Sequence, residues 1–345
     1  MFQSIIFGPS HGIGESILLK FDENKYGIID SYINPVTNNP QVLDYIQEHN
    51  ISPEYIDFVL LTHGHQDHYR GISQILDICK NARFFTSSSF KLKSFQFLLS
   101  AYIQVESKNN FFNEFIDIFN ILKNTDRDLN VLSDKGNPIF NANGIKIFAI
   151  SPNTHTDEYL DKIYRKEADK HLNRNNEKFA LGHDFNFQSV VLVVQIGELQ
   201  ILYGADLEYH ETNINIGWAS ICQDIDFQKH QFDLFKVPHH GSETSCNETD
   251  WTAFLKENRV LKLTPYSRGK KLPDEKMVRK IKTICCNSYI TSDLSKKYKK
   301  HPLHRKLRKG HKKLSYSHGE INVTSNKKGK LQVTLSGNAV PLSKL

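Results

Sequence analysis

One short segment constrains this chain more than any other. Residues 62–68 read Thr-His-Gly-His-Gln-Asp-His, and they follow directly on the apolar run Phe-Val-Leu-Leu at 58–61. A short continuous apolar run is typical of a strand buried on both faces in a layered α/β protein. The end of such a strand opens onto a cleft, so the side chains that follow it can converge. Four of these are of metal-binding types: His63, His65, Asp67 and His68.

This spacing predicts a metal site. Imidazole nitrogens and carboxylate oxygens bind zinc, and they also accept manganese or iron. His63 and His65 can share one ion, whereas Asp67 and His68 can point to a second. We therefore expect one or two Zn²⁺ ions, with Mn²⁺ as the alternative, and we expect Asp67 or Asp206 to take part in moving a proton.

The composition supports a folded chain rather than a disordered one. Of the 345 residues 39% are hydrophobic, including 22 Phe and 14 Tyr, which is enough for a substantial core. Five cysteines occur without a Cys-x-x-Cys pair, so a zinc ribbon is not indicated and reduced thiols are expected. The N-terminus lacks a basic, apolar signal sequence, and no apolar stretch reaches about 18 residues. We expect a cytoplasmic protein without a membrane partner, and the oligomeric state stays open.

Local patterns predict strands that alternate with helices. Strands are predicted at 2–7, 15–21, 26–32, 58–61, 190–194, 199–203, 234–237, 320–324 and 331–335. Helices are predicted at 40–49, at 69–80 with Ile72, Ile75, Leu76 and Ile78 on one face, in part of 87–122, and at 273–281 with Pro273 at the first position. The densely charged segment 156–180 is predicted to be a solvated insertion. These elements indicate two packed sheets with helices outside them.

The histidine-rich segment resembles the Thr-His-x-His-x-Asp-His signature of the metallo-β-lactamase superfamily. The resemblance implies an α/β fold, a four-layer αββα sandwich, and a hydrolase that depends on a divalent metal. Asp30, in Gly-Ile-Ile-Asp at 27–30, resembles the early aspartate that supports the metal loop from behind. Asp206, in Tyr-Gly-Ala-Asp at 203–206, resembles the strand-end aspartate that bridges two metals.

A late histidine pair completes the implied ligand set. Residues 236–242 read Lys-Val-Pro-His-His-Gly-Ser and resemble the superfamily's late His motif, which supplies one metal ligand. Alignment with the common Gly-His-Gly ending favours His240 over His239 as that ligand. His239 is then expected beside the substrate as a catalytic residue that contacts a phosphate or a leaving group.

The match extends to the metallo-β-lactamase domain of bacterial competence (DNA-uptake) proteins. Gly-Ile-Gly-Glu-Ser-Ile at 12–17 resembles the opening Gly-x-Gly-Asp-Ser/Ala-Ile of that domain. Asn-Phe-Gln-Ser-Val-Val-Leu at 186–192 resembles its Asn-x-x-Ser-Leu-Val-Leu. The resemblance runs from about residue 5 to residue 325. It implies a single domain over 1–345, with helical and charged insertions around 87–180 and a basic insertion around 295–314.

One departure from the superfamily pattern concerns the first metal. The wider superfamily has a further His ligand before the central hairpin, and this chain has Asn186 there, as the competence subgroup does. His183 can reach in if the loop bulges, and His155 is a poorer candidate. The number of metals therefore stays open. One alternative is a single tightly held ion, bound chiefly by Asp67, His68, Asp206 and His240.

The resemblance implies hydrolysis but does not fix the bond. A divalent metal lowers the pKa of bound water from 15.7 towards about 7 and stabilises negative charge on a phosphoryl or acyl oxygen. Residues 296–313 contain ten Lys and Arg and no acid, which indicates attraction to polyanions. Arg268 and Lys270 lie in a second basic segment and can contact phosphate, as can Asn186.

These observations leave three hypotheses. The first is a phosphodiesterase or nuclease that acts on DNA or RNA through a metal-activated hydroxide. The second is a hydrolase of a small-molecule phosphodiester or a lactone-like ester. The third is a metal-stabilised nucleic-acid-binding or regulatory module with little turnover.

Overall fold

A computed structural model gives the fold and describes residues 2–10, 12–104, 110–173, 182–293, 318–326 and 329–345. The basic insertion predicted around 295–314 lies outside these ranges, so its prediction stays open.

Sixteen strands are formed in the described ranges. In chain order they are β1 (Gln3–Pro9), β2 (Ser16–Asp22), β3 (Lys25–Ile29), β4 (Ile56–Leu61), β5 (Arg83–Ser87), β6 (Leu129–Leu132), β7 (Phe140–Ala142), β8 (Ile145–Ala149), β9 (Leu192–Ile196), β10 (Leu199–Tyr203), β11 (Phe232–Lys236), β12 (Leu255–Leu263), β13 (Ser288–Ile290), β14 (His318–Ser325), β15 (Leu331–Gly337) and β16 (Val340–Pro341). They form two eight-stranded sheets. The first has the order β15-β14-β1-β2-β3-β4-β5-β6, and the second has the order β16-β13-β12-β11-β10-β9-β8-β7.

The α-helices lie between these strands in the chain. They are α1 (Gln41–Glu48), α2 (Gln66–Tyr69), α3 (Ile72–Ile78), α4 (Lys93–Gln104), α5 (Asn110–Asn124), α6 (Thr154–Asn173), α7 (Gly217–Gln223), α8 (Glu248–Phe254) and α9 (Glu275–Ile284). The helices α1 to α6 pack with the first sheet, and α7 to α9 pack with the second.

Three hydrophobic clusters reveal the order of the layers. Strand β4 is buried on both faces, because Phe58 and Leu60 belong to the cluster between the two sheets whereas Val59 and Leu61 belong to the cluster beneath the helices. On the far side, Trp218 of α7 belongs to a third cluster with the outer face of the second sheet. The layers therefore run helix, sheet, sheet, helix. This confirms the four-layer αββα sandwich that the resemblance implied.

The parallel strands of both sheets determine where a site can form. Strands β3 to β6 are parallel in the first sheet, and β10 to β13 are parallel in the second. Strand β2 is antiparallel to β3, so its amino end lies at the same edge as the carboxyl end of β3. Loops that follow parallel strands face a common crevice. The segments after β3, β4, β10, β11 and β12 and the turn before β2 are therefore the candidates for a functional site.

Most predicted elements are confirmed, with three corrections. Ile78 is exposed, and the helix predicted at 69–80 is split into α2 and α3 at Gly71, whose φ is +88°. Pro273 lies just before α9 rather than at its first position, because Asp274 is the N-cap and accepts a hydrogen bond from the Met277 N–H.

The third correction concerns the charged segment at 156–180. Its described part forms the long helix α6, which packs against α4 and is not a solvated insertion. Leu160, Tyr164 and Ala168 repeat every four residues on one face and are fully buried. The charged residues occupy the remaining faces, so the high charge density concealed an amphipathic helix.

The described residues hold no disulfide, since all five cysteines are free. No helix within these ranges is both long enough and apolar enough to cross a bilayer.

Candidate metal centre

Four buried side chains from both sheets meet at the crevice. Asp67 and His68 lie on α2, directly after β4 of the first sheet. Asp206 follows β10 and His240 follows β11, both in the second sheet. One ligand atom from each residue lies within 4.8 Å of the corresponding atoms of the others. These are the four residues that the sequence indicated for a single tightly held ion.

The closest contacts in this group join imidazole nitrogens to carboxylate oxygens. His240 Nε2 lies 3.1 Å from Asp67 Oδ2 and 3.5 Å from Asp206 Oδ2. His68 Nε2 lies 3.3 Å from Asp206 Oδ2 and 3.8 Å from Asp67 Oδ2. Both histidines therefore present Nε2 to the same pair of carboxylates.

The opposite ring nitrogen of His68 is held by Asp30. Nδ1 lies 2.8 Å from Asp30 Oδ2, and that carboxylate also accepts hydrogen bonds from the backbone N–H of Thr62 at 2.8 Å and from its hydroxyl at 2.7 Å. A carboxylate accepts hydrogen bonds, so Nδ1 of His68 carries the proton. The Nε2 lone pair is then free to face the crevice, as in carboxylate–histidine–metal arrangements. Asp30 thus contacts both Thr62 and His68 of the histidine-rich segment from its buried side.

His240 is held in the same orientation by the second sheet. Its Nδ1 lies 2.9 Å from the hydroxyl of Thr264 and 3.3 Å from the carbonyl oxygen of that residue. A carbonyl oxygen can only accept, which favours a proton on Nδ1. Tyr266, two residues further on, stacks its ring against the imidazole with centroids 5.3 Å apart. The ring of His240 is therefore fixed on two sides.

The arrangement fits a divalent cation. When both imidazoles are neutral with their protons on Nδ1, their Nε2 lone pairs face two carboxylates, and lone pairs that face each other at 3.1–3.8 Å need a positive charge between them. Three buried atoms here have no hydrogen-bond partner among the described residues: His63 Nε2, His68 Nε2 and Asp206 Oδ1. Buried polar atoms are rarely left unpaired. Nitrogen and carboxylate donors are those that zinc prefers.

The pKa directions describe the same charge imbalance. Burial opposes charge on His68, but Asp206 and Asp30 raise its pKa well above the ordinary range. Burial would raise the pKa of Asp206, yet His68 and His240 hold it well below the ordinary range. Burial lowers the pKa of His63 well below its usual value. Despite burial, His68 and His240 also hold the pKa of Asp67 below its ordinary range, so Asp67 and Asp206 both stay ionised and favour a positive charge, supplied either by a proton on His68 or by a metal ion.

His63 and His65 line the crevice but lie outside the four-residue group. His63 Nε2 is 3.9 Å from Asp206 Oδ2, and its ring centroid is 4.3 Å from that of His68. Its Nδ1 lies 3.0 Å from the Thr62 hydroxyl, which donates its proton to Asp30, so Nδ1 is the donor here too. The ring of His65 lies edge-on to that of His63 at 4.9 Å, and its Nε2 is 3.3 Å from the carbonyl oxygen of Gly182.

Three residues bear on the further histidine ligand that the wider superfamily has before the central hairpin. His183 begins a 3₁₀ turn over His183–Gln188, and its side chain lies outside the described residues. The ligand role predicted for His183 therefore stays a prediction. Asn186 is buried in the same turn, and neither atom of its amide has a hydrogen-bond partner among the described residues. His155 is exposed on α6 and contacts Glu158.

His239 lies beside the group and contacts a different carboxylate. Its Nδ1 touches Oε1 of Glu208, which also accepts a hydrogen bond from the Thr244 hydroxyl at 2.7 Å. Burial disfavours its charged form, but the hydrogen bond to Glu208 raises the pKa of His239. The structure thus separates the two neighbouring histidines, with His240 facing the carboxylates of Asp67 and Asp206 and His239 facing Glu208.

The two basic residues predicted at the rim differ in their surroundings. Arg268 is exposed, and its guanidinium donates to the amide oxygen of Gln66 at 2.6 Å, next to Asp67. Lys270 is also exposed, and its Nζ lies 3.7 Å from Oδ2 of Asp274. The charge of Arg268 therefore contacts the neutral amide of the residue before Asp67, whereas the charge of Lys270 lies near the carboxylate of Asp274.

Three residues of the centre were not singled out from the sequence: Glu15, Lys236 and Thr264. Glu15 and Lys236 are buried and form an ion pair with Oε1 and Nζ 2.7 Å apart. Thr264 directly follows β12 as Thr62 directly follows β4, and this shared position at a strand end was the available signal. A second signal was available for Glu15 and Lys236, because each is a charged residue within an otherwise apolar stretch.

Several solved structures are similar to this chain at low sequence identity. The metallo-beta-lactamase fold protein YhfI from Bacillus subtilis is 12% identical, over 84% of this chain and 95% of that chain, with a TM-score of 0.43. The short form of human tRNase Z is 10% identical, over 75% of this chain and 91% of that chain, with a TM-score of 0.37. A HARLDQ motif mutant of a metallo-beta-lactamase from Cronobacter sakazakii is 15% identical, over 66% and 74% of the two chains, with a TM-score of 0.35. No family model matches the sequence, and no curated protein matches it.

Proposed function

We propose that this chain is a metal-dependent hydrolase that acts on phosphodiester bonds of DNA or RNA. The observation that carries the proposal is the convergence of Asp67, His68, Asp206 and His240, all buried, with one ligand atom of each within 4.8 Å of the others. Such a group draws two residues from each sheet and has an excess of negative charge. A structural zinc site would have no reason to open onto a crevice at the carboxyl ends of parallel strands, where catalytic residues gather.

The ion proposed here is Zn²⁺, with Mn²⁺ as the alternative. When bound, a divalent ion lowers the pKa of water towards about 7 and stabilises the charge that develops on a phosphoryl oxygen. The residues of the chain have separate roles. His68 and His240 present Nε2 lone pairs, and Asp206 supplies a carboxylate that faces both of them. Asp67 can accept a proton from the attacking water, because its carboxylate lies at the crevice.

A second ion remains part of the proposal at His63 and His65. His63 has a buried, unpartnered Nε2 among the described residues and lies 3.9 Å from the Asp206 carboxylate, which can therefore serve two ions. His65 would complete this side after leaving the carbonyl oxygen of Gly182. The single-ion form needs no such rearrangement, so it is the simpler form of the proposal.

Two features support a phosphodiester as the substrate. The guanidinium of Arg268 lies beside the metal loop on a neutral partner, and an exposed guanidinium binds phosphate oxygens in bidentate fashion. The sequence also contains ten Lys and Arg within 296–313, a density that attracts polyanions. His239, held by Glu208 at the same crevice, can contact the leaving group.

One purified preparation of the full chain tests the proposal. Bound metal is measured first, and hydrolysis is then assayed on single- and double-stranded DNA, RNA, a bis-aryl phosphodiester and a lactone. The control is the double variant Asp67→Ala/His68→Ala, which removes two of the four ligands. We expect metal-dependent cleavage of nucleic acid that the double variant loses and that deletion of residues 296–313 weakens.

The other outcomes decide against this proposal in favour of a stated alternative. Turnover of the bis-aryl ester or the lactone alone, unaffected by deleting 296–313, would indicate a hydrolase of small molecules. Nucleic-acid retention without cleavage, unchanged in Asp206→Ala, would indicate a binding module. Absence of bound metal after growth with zinc and manganese would contradict all forms of the metal proposal.

A further inference from the structure

Two threonines occupy equivalent places on the two sheets. Thr62 follows β4 in the first sheet, and Thr264 follows β12 in the second. Each hydroxyl donates to a buried carboxylate, over 2.7 Å from Thr62 to Asp30 and over 2.6 Å from Thr264 to Glu15. Each hydroxyl oxygen also lies next to Nδ1 of an imidazole, at 3.0 Å for His63 and at 2.9 Å for His240. The chain thus contains two parallel relays from carboxylate to threonine to histidine.

A hydroxyl has one proton, and this fixes the direction of each relay. Since Thr264 Oγ1 donates its proton to Glu15, it can only accept from Nδ1 of His240. The proton of the neutral imidazole is then on Nδ1, and the lone pair is on Nε2, which faces Asp67 and Asp206. The carboxylate of Glu15 therefore selects the tautomer of His240 through two consecutive hydrogen bonds, both of which involve the Thr264 hydroxyl.

The other oxygen of Glu15 acts on the loop that contains Asp206. Oε1 lies 2.7 Å from Nζ of Lys236, which also donates to the carbonyl oxygen of Ala205 at 2.7 Å. The same Nζ is 3.6 Å from Oδ1 of Asp206, so its charge attracts the oxygen that does not face His68. Ala205 has a φ of +45°, a left-handed conformation that a non-glycine residue adopts only when it is held.

The backbone places Glu15 where one carboxylate oxygen reaches Thr264 and the other reaches Lys236. Its N–H donates to the carbonyl oxygen of Asp67 at 2.9 Å. The preceding Gly14 has a φ of +140°, and a Cβ there would come within 2.6 Å of the ring of Tyr32. Only glycine allows this turn to pack so closely, and the turn delivers a carboxylate to the junction of the two sheets. Glu15 itself is almost fully buried.

We propose that Glu15 is a positioning residue for the metal centre, which sets the tautomer of His240 through Thr264 and anchors the Asp206 loop through Lys236. This inference rests on the metal centre of the proposed function, and it concerns how the protein prepares its ligands rather than which substrate it cleaves. Groups that orient metal-binding histidines typically change metal affinity by about 10–100-fold when they are removed.

The decisive variant is Glu15→Gln, which keeps the shape and changes the hydrogen-bonding. The amide oxygen would face Lys236, so the amide NH₂ would face Thr264 and donate to its hydroxyl oxygen. The threonine proton would then point at Nδ1 of His240 and favour a proton on Nε2, where the metal should bind. We expect zinc affinity, measured by competition with a chromophoric chelator, to fall about 10–100-fold. The matched control is Asp157→Asn, because Asp157 also accepts from two hydroxyls, those of Ser88 and Ser89, but is not hydrogen-bonded to Thr264 or His240.

A second pair of variants isolates the relay from the folding of the buried ion pair. Thr264→Val removes the hydroxyl and keeps the shape, so zinc affinity should fall by about tenfold or more. Thr264→Ser restores the hydroxyl and should bind zinc within about twofold of the unaltered protein. If Glu15→Gln fails to fold, these two variants still decide whether the hydroxyl matters, since neither disturbs the Glu15–Lys236 pair.

A readout without metal separates this inference from the proposed function. Ring ¹⁵N chemical shifts of the metal-free protein report which nitrogen of neutral His240 is protonated. We expect Nδ1–H in the unaltered protein and a clear Nε2–H population in Glu15→Gln. Unchanged zinc affinity together with Nδ1–H in Glu15→Gln would overturn the inference. A protein that has the expected tautomers and binds zinc, yet hydrolyses none of the substrates tested, would contradict the proposed function and leave the relay standing.

Discussion

His240 Nε2 lies 3.1 Å from Asp67 Oδ2, although the two residues are 173 positions apart and follow strands of different sheets. The contact joins the loop after β4 to the loop after β11, at the crevice where both sheets end. Both atoms are electron-pair donors when His240 is neutral and its proton is on Nδ1. The contact is therefore most favourable when a cation lies between them, and the first prediction concerns that cation.

Zinc should stabilise the folded chain through these ligands. At a free concentration about 100 times the dissociation constant, binding to the folded state alone adds about 2.7 kcal/mol to the free energy of unfolding. Asp206→Asn should abolish most of the zinc-dependent rise in Tm, because Asp206 faces both His68 and His240. Asp233→Asn is the control, since Asp233 pairs with Lys256 outside the centre. Equal zinc-dependent shifts in both variants, measured by thermal unfolding, would contradict a role for Asp206.

Lys262 should make stability depend on pH. Burial lowers the pKa of Lys262 from 10.5 to about 7. Between these two values the unfolded chain binds a proton that the folded chain does not, so the free energy of unfolding rises with pH. The slope for one group is at most about 1.4 kcal/mol per pH unit. In Lys262→Met the part of the slope between pH 7 and 10 that belongs to this lysine should vanish.

The comparison for that lysine is Lys256→Met. Lys256 is partly exposed and pairs with Asp233, so its replacement should leave the slope as it is. Denaturant unfolding at several pH values gives the free energy of unfolding of each variant and of the unaltered protein. The contributions of the other titratable groups cancel in the difference between the two. A slope that Lys262→Met leaves unchanged would mean that Lys262 stays charged next to Ser4 and Tyr203.

Replacement of either neighbour in β4 should be costly because this strand is buried on both faces. Leu60 packs between the sheets and Leu61 packs beneath the helices, and both are fully buried. Leu→Ala in such a position costs about 2–5 kcal/mol. Leu60→Ala and Leu61→Ala should therefore lower the free energy of unfolding by similar amounts, as measured in urea. A strand with one solvated face would instead give one large and one negligible effect.

The two basic residues at the rim should differ in their effect on nucleic-acid binding. Loss of one phosphate contact lowers the slope of log affinity against log salt by about 1. Arg268→Ala should do so, because its guanidinium lies beside the metal loop on the amide of Gln66. Lys270→Ala should have a smaller effect, because Asp274 lies 3.7 Å from its Nζ. Binding titrations with single-stranded DNA at several salt concentrations, with the metal withheld to prevent cleavage, distinguish the two.

The sequence predicted which residues converge in the candidate centre because these residues follow strands. Local patterns identified β4, the hairpin of β9 and β10, and β11, and the motifs after these strands supplied Asp67, His68, Asp206 and His240. Their convergence follows from parallel strands whose ends share one edge. The sequence favoured His240 over His239 as a metal ligand; His240 faces Asp67 and Asp206 whereas His239 faces Glu208, and the ligand role itself stays a prediction.

The remaining features were hidden because they depend on contacts between distant residues. The hydrogen bond from Thr264 to Glu15 joins residues 249 positions apart, and no local pattern indicates it. In α6 the charge density outweighed a regular apolar repeat at Leu160, Tyr164 and Ala168, so a packed helix resembled a solvated segment. Pro273 is compatible with the first turn of a helix, but Asp274 provides the stronger N-cap by accepting from the Met277 N–H.

The division of the ligands between the sheets has a consequence for how the protein matures. Asp67 and His68 are synthesised early, whereas Asp206 and His240 emerge from the ribosome more than a hundred residues later. Neither sheet alone offers more than two of the four donors, so a nascent chain has little ability to capture an ion until both halves have docked. If the proposed ion binds here, its acquisition is expected among the last events of biogenesis, and a bound ion would mark a molecule whose two halves have joined correctly.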